Sequence, residues 1–251
     1  MSFEELLFRF FIFWYISGVI LLTFDLLPAW LEWANAVFLI LAGLLSFIYF
    51  VKIFGLKFGF LISSIVFLFS FFIEYLGAKF GLLFGSYHYT DRFAPNLFNV
   101  PVAIGFAWLM VIGTTHVIAK KIVSVNSILY PIVGGFCAVV IDLIIDPVAF
   151  KVKQYWIWTE KGMYYDIPFT NFVGWFVVAF TLHLIILIVV KRFKKLRESV
   201  QWERRMILLF YLMISMFVLL GFKAKLYLAS FLTSFLSISI IWILYWRKKH
   251  D

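Results

Sequence analysis

Apolar runs of the roughly 20 residues that a helix needs to cross a bilayer recur from one end of the chain to the other. Eight can be marked, at about 6–24, 34–51, 58–78, 100–119, 127–146, 168–190, 206–222 and 226–246. The last two are joined by so short a turn that seven spans is the alternative count. No stretch is left over for a soluble domain. The pattern therefore predicts an all-α fold, a polytopic transmembrane helix bundle that forms a single integral membrane domain over residues 1–251. The first run has no small-residue cleavage site of the Ala-x-Ala kind behind it, so it reads as a retained anchor and not as a signal peptide.

Composition agrees with that solvent. Hydrophobic residues make up 65% of the 251 and charged residues 14%, where a soluble domain carries about 25% charge. The mean hydropathy is +1.02. The net charge of +9 does not point to nucleic acid, because the basic residues lie in short loops between spans. There they act as topology signals and as contacts for anionic lipid headgroups. With the N-terminus inside, fifteen Lys and Arg fall on inside segments, seven of them between Lys191 and Arg205. Seven fall outside: Lys79, Arg92, Lys151, Lys153, Lys161, Lys223 and Lys225. The asymmetry predicts cytoplasmic termini in a multi-pass protein of the cell membrane. Cys137 is the single cysteine, so no internal disulfide can form.

Two longer loops, about 78–99 and 147–167, fall on the outer side and are rich in Tyr, Trp, Pro and Gly. Loops of about this length are usually functional or carry short structure of their own. The stretch FFIEYLGAKFGLLFGSYHYT, residues 71–90, sets Glu74 in an apolar run and follows it with Gly77, Gly81 and Gly85. On a continuous helix these four share one face, against which another helix or a flat ligand can lie closely. An ionisable group at membrane depth costs several kcal/mol unless it is paired or faces a polar cavity, which makes Glu74 a candidate functional group.

In VVIDLIIDPVAFKVKQYWIW, residues 139–158, Asp142 and Asp146 are one helical turn apart and point the same way. Two such carboxylates repel when both are charged, so the pair tends to keep a proton, as a general acid must. Pro147 predicts that the span ends or kinks at Asp146. In YYDIPFTNFVGW, residues 164–175, Pro168 opens a span and Asn171 sits in its first turn, where it can bond a carboxylate, position a water or only cap local backbone. Tyr87, Tyr89, Trp156, Trp158 and Trp175 fit either an interfacial belt or a pocket that holds a polyene and stabilises a cation. Topology places Glu74, Asp142, Asp146 and Asn171 at one depth near the outer face.

His116 near the inner end of span four and His183 deeper in span six are not expected to share a haem; each should simply be hydrogen-bonded. The four histidines include no pair at metal-ligand spacing. The chain carries no phosphate-binding glycine loop and no nucleophile elbow, and it lacks the acidic density of a magnesium–diphosphate site. No metal and no cofactor is expected.

The segments EYLGAKFGLLFGSYHY, NVPVAIGFAW, DLIIDPVA, WIW and GMYYDIPFTNFVGW occur in an order that resembles the carotenoid hydratases of the bacterioruberin and γ-carotene type. The resemblance covers about residues 70–180. It implies an integral membrane enzyme of carotenoid biosynthesis, a hydro-lyase that adds water across the terminal double bond of an acyclic isoprenoid end group to give a tertiary alcohol. The reaction needs an acid, a held water and a cation-tolerant aromatic pocket. The resemblance casts Asp142 or Asp146 as the acid, Glu74 as the group that positions or deprotonates water, and Asn171 with Tyr87 or Tyr89 as orienting groups. Gly77, Gly81, Gly85, Trp108, Trp156, Trp158 and Trp175 would contact an apolar carotenoid that enters from lipid. Its partners would be membrane lipids and other enzymes of the pathway. The same carboxylates also suit a carotenoid cyclase or isomerase, a proton-coupled transporter, or a membrane scaffold.

Overall fold

The computed structural model describes residues 2–194 and 196–250. Lys195, one of the seven basic residues counted between spans six and seven, lies outside the described residues.

Among the described residues, eight helices are long and apolar enough to cross a membrane. They are α1 (Phe3–Thr23), α2 (Trp33–Phe54), α3 (Leu56–Phe80), α4 (Ala103–Ile122), α5 (Leu129–Pro147), α6 (Phe169–Phe193), α7 (Val200–Lys223) and α8 (Tyr227–His250). Among the described residues, four short strands lie in the connections before α4 and α6: β1 (Tyr87–Tyr89), β2 (Asn96–Leu97), β3 (Val100–Pro101) and β4 (Trp156–Trp158). The protein is thus an all-α polytopic bundle, and the short turn at 224–226 does separate two helices.

Local chemistry sets the helix ends. The Ser2 side chain accepts from the Glu5 N–H at the start of α1, beside Glu4 and Glu5 in its first turn, which satisfies a free backbone donor and suits the positive end of the helix dipole. Gly55, at φ 78, is the single residue between α2 and α3. Two sequence expectations change here. The helix face proposed for Glu74 and three glycines stops early, because α3 ends at Phe80 with Gly81 in the left-handed conformation at φ 68. Gly85, at φ 98, belongs to the loop. And α5 does not end at Asp146. Pro147 offers no backbone N–H, and the helix widens directly after it into a π-helical stretch, Val148–Lys153, with the Val148 N–H shared between the Ile144 and Ile145 carbonyls.

The centre of the bundle is α4, which packs against α2, α3, α5 and α7 and is buried over almost its whole length. Small residues permit that closeness. A Cβ on Gly43 would come within 2.6 Å of the Phe106 carbonyl oxygen, and one on Gly113 within 2.7 Å of Ser46 Oγ. The α5–α6 crossing is equally tight, with His183 and Phe176 against Gly134 and Gly135. Outward-facing positions such as Phe60, Leu68, Phe72, Phe136, Ile188 and Phe235 remain apolar and exposed, as a lipid-facing surface requires.

The two faces differ. At one, Lys120 and Lys121 pair with Glu203 at 2.5 and 2.8 Å, Lys52 with Glu4 at 2.6 Å, and Arg205 with Glu5. These pairs gather the basic ends that the charge pattern assigns to the cytoplasm. At the other, β1 and β4 pair antiparallel and join the two long loops into one cover. Introducing Gly43→Val should lower stability by about 1–3 kcal/mol through overpacking, whereas Gly18→Ala, where an added Cβ meets nothing within 4 Å, should not. Thermal unfolding of the detergent-solubilised variants measures the difference.

Candidate active site

The β1–β4 ribbon explains how the acidic groups are held. Tyr87 lies opposite Trp158 and Tyr89 opposite Trp156. Alternation along a strand sends Tyr87 and Tyr89 to one face and His88 to the other, and on β4 it groups Trp156 with Trp158 against Ile157. His88 is exposed while Tyr87 and Trp158 are buried. The four aromatic rings therefore descend from the cover into the bundle. Tyr87 packs on Trp158 with ring centroids 4.9 Å apart, and Tyr89 meets Trp156 edge-on at 6.0 Å.

Their polar tips end on the carboxylates. Tyr87 and Tyr89 donate to Glu74 Oε2 at 2.6 and 2.8 Å, and Trp108 Nε1 of α4 donates to Oε1 at 3.0 Å. Trp156 and Trp158 donate to Asp146 Oδ1 at 2.7 and 3.2 Å. Burial, and after it the Glu74 charge, holds both phenols well above the ordinary tyrosine range, so they remain O–H donors. Asn171, in the first turn of α6, divides its amide between the two aspartates: Nδ2 donates to Asp142 Oδ2 at 2.8 Å and to Asp146 Oδ2 at 2.6 Å. Of the three carboxylates only Asp142 retains an oxygen, Oδ1, with no partner at all.

Glu74, Asp146, Asn171, Tyr87, Tyr89 and Trp156 border one cavity. Trp108, Trp158 and Trp175 also line it, the first and last packed at 4.5 Å between ring centroids. Asp142 is fully buried behind Asn171 and is not part of the wall. Exposed polar contacts hold the cover in place from outside: Lys151 pairs with Asp166 at 2.6 Å and Ser86 with Glu160 at 2.8 Å. The Lys151 ammonium holds the Asp166 carboxyl below the usual range.

The glycines play a different part from the one expected of them. The space beside Gly77 is taken by Phe84 and the Tyr87 hydroxyl, at 2.8 and 3.0 Å from a Cβ placed there. Ser86 fills the space at Gly81, and Pro168 and Thr170 that at Gly85. Their small faces thus serve the close fit of the cover over α3 and α6. His116 and His183 are nearer each other than helix depth suggested, since both touch Tyr130. His116 Nδ1 and the Tyr130 hydroxyl are hydrogen-bonded at 2.5 Å, and the Tyr130 and His183 rings stand 5.3 Å apart. His183 also bonds Thr115 and the Ala179 carbonyl, so hydrogen bonding is indeed how the core accommodates it.

Sequence reasoning missed most of the cavity wall. Leu22 of α1, Asn35 and Phe38 of α2, and Met213, Met216 and Leu220 of α7 line it far from the carboxylates. Apolar residues on apolar helices give no local signal of facing a cavity. Asn35, a polar residue at the start of a span, was an available hint, and its amide nitrogen has no hydrogen-bond partner among the described residues; Lys153 on the same wall was another.

The fold and the site together define a helical membrane protein with a dense, aromatic-clamped acidic pocket beneath one face. The chain belongs to the carotenoid biosynthesis protein family, whose model matches residues 34–242, from the first turn of α2 into α8. No curated protein and no solved structure matches it.

Because the Tyr89 hydroxyl bonds a carboxylate, Tyr89→Phe and Glu74→Gln should couple in a double-mutant cycle by about 1.5 to 3 kcal/mol, the range for hydrogen bonds to charged groups. His88→Ala on the outward face of the same strand should stay within about 0.5 kcal/mol of the parent. Equilibrium unfolding in detergent reads both.

Proposed function

We propose that the protein hydrates the terminal double bond of an acyclic carotenoid end group. The observation that carries this reading is the placement of Asp146 on the wall of an apolar cavity, joined through Asn171 to a second carboxylate. Asp142 and Asp146 share one amide donor group at 2.8 and 2.6 Å. Mutual repulsion keeps a proton on such a pair, and Asp146 is the member that faces the cavity. Its carboxylic acid gives that proton to the less substituted alkene carbon, forming a C–H bond and leaving a tertiary carbocation. The indole and phenol rings around the cavity, Trp108, Trp175 and Tyr89 among them, offer their electron-rich faces to that cation.

Glu74 has a different environment, with two phenol donors and one indole donor on its two oxygens. Those donors favour the anion, which suits it to take the proton from an attacking water. The water oxygen then bonds to the tertiary carbon. One proton has left the aspartate pair and one has arrived at Glu74, and proton return between the acids through the held water closes the cycle. The sum is addition of one water to each end group. In this reading the basic face lies in the cytoplasm and the site under the outer face.

Family membership supports the pathway, and the paired acids support the chemistry. The test is to express the chain in cells that accumulate an acyclic carotenoid and to weigh the extracted pigment by mass spectrometry. The expected product has gained one or two waters. Asp146→Asn and Glu74→Gln should each lower its yield by about 100-fold or more, the contribution of a positioned acid or base. A product of unchanged mass but new retention would replace hydration by cyclisation, which starts from the same protonation. Unaltered pigment would remove the enzyme reading.

A further inference from the structure

The cavity has two ends, and the proposed chemistry occupies one. Besides the carboxylates, its wall includes Met110 of α4, Ala149 of the π-helical stretch, and residues of α1, α2 and α7. This far arm is lined mainly by apolar side chains, Leu22, Phe38, Leu39, Met213, Met216 and Phe217, with Asn35 and Lys153 as polar residues on its wall. Methionine side chains are flexible and adapt to irregular apolar shapes. An arm of this character next to an acidic pocket matches a substrate with one reactive end and a long hydrocarbon remainder.

The loop face is covered by the paired β1 and β4 strands. The α2–α4 and α5–α6 seams are drawn tight at Gly43, Gly113, Gly134 and Gly135, with no room there for even a Cβ atom. The wall made by α1 is different. Of its 21 residues only Phe11 and Leu22 are buried, and it packs on α2 and α7 alone among the helix pairs with extensive contact. Its middle is held by Phe11 stacked on Phe38 at 5.5 Å, ring contacts of Tyr15 with Phe38 at 6.3 Å and of Trp14 with Trp33 at 6.2 Å, the Tyr15 hydroxyl donating to the Leu212 carbonyl at 3.0 Å, and Trp14 Nε1 donating to the Ala34 carbonyl at 3.2 Å. The end nearest the cavity is pinned by Lys223, which pairs with Asp25 at 2.6 Å. Leu22, three residues before Asp25, is the α1 side chain on the cavity wall.

We propose that the far arm binds the polyene chain of the substrate, and that the Leu22 end of α1 is the wall past which this chain moves between lipid and cavity. The proposal rests on the carotenoid reading for the identity of the ligand. Its geometry, a mainly apolar arm with the least buried helix in its wall, stands independently of the reaction.

A reversible tether tests it. In full-length protein in lipid nanodiscs, Asp25→Cys and Lys223→Cys are joined by a short bis-methanethiosulfonate linker, which dithiothreitol releases; the native Cys137 is buried. Added acyclic carotenoid is then followed in two ways, as pigment that stays with the protein through gel filtration and as hydrated product. Linking should lower retained pigment at least tenfold, and dithiothreitol should restore it, which also shows that the linked protein is folded. A second tether, Glu4→Cys with Lys52→Cys at the basic end, should leave retention unchanged. Unchanged retention in the first linked protein would overturn the proposal, and equal loss with both tethers would overturn its placement at Leu22. Retention governed by the first tether without any water gained would uphold the arm and reject hydration. Hydration that proceeds equally in the linked protein would do the reverse.

Discussion

Three carboxylates sit where water is excluded, and an unpaired charge in that position costs several kcal/mol. Much of the loop face can be understood as the supply of donors that makes this tolerable. Glu74 receives three side-chain donors, Asp146 three and Asp142 one. Four of those donors come from β1 and β4, two short strands that pair only because the α3–α4 and α5–α6 loops lie on the same face. Each of the four is an aromatic group with an apolar body and a single polar tip, so it can supply a hydrogen bond inside the bundle without adding another charge. The cover and the acids stabilise one another: without the carboxylates the phenol and indole tips would be buried unpaired, and without the tips the carboxylates would.

The sequence made the local half of this arrangement readable. Asp142 and Asp146 are one turn apart whatever the rest of the chain does. Pro168 starts α6, so Asn171 had to lie in its first turn. Charge asymmetry and helix order alone brought Glu74, the aspartates and Asn171 to one depth. Register was beyond reach, because a three-residue strand carries too short a pattern to show which residue faces which. The glycine face failed for a related reason: spacing by four is the same whether Gly81 continues a helix or caps it, and only its positive φ separates the two. Pro147 signals an interruption, but a π-helical turn and a helix end use the same missing N–H. The far arm left no trace, since in a chain 65% hydrophobic the side chains that face lipid and those that face an apolar cavity are of the same kinds.

Two polar clusters lie in this bundle, and their separation bears on what the acidic one can do. Trp108 touches Glu74 and Thr115 touches His183, both from α4. Seven residues apart on a helix is roughly 10.5 Å. Between them α4 presents Leu109, Met110, Val111, Ile112, Gly113 and Thr114, and the Thr114 hydroxyl is turned back onto its own helix, bonded to the Met110 and Val111 carbonyls. On α6 the gap from Asn171 to His183 is twelve residues, roughly 18 Å, and the buried side chains within it, Val178, Ala179 and Leu182, are apolar. A relay for protons needs donors and acceptors within hydrogen-bond reach along its whole length. Glu74 and Asp146 open instead onto the cavity beside them, and no such chain of donors and acceptors joins them to the histidine cluster along α4 or α6 among the described residues.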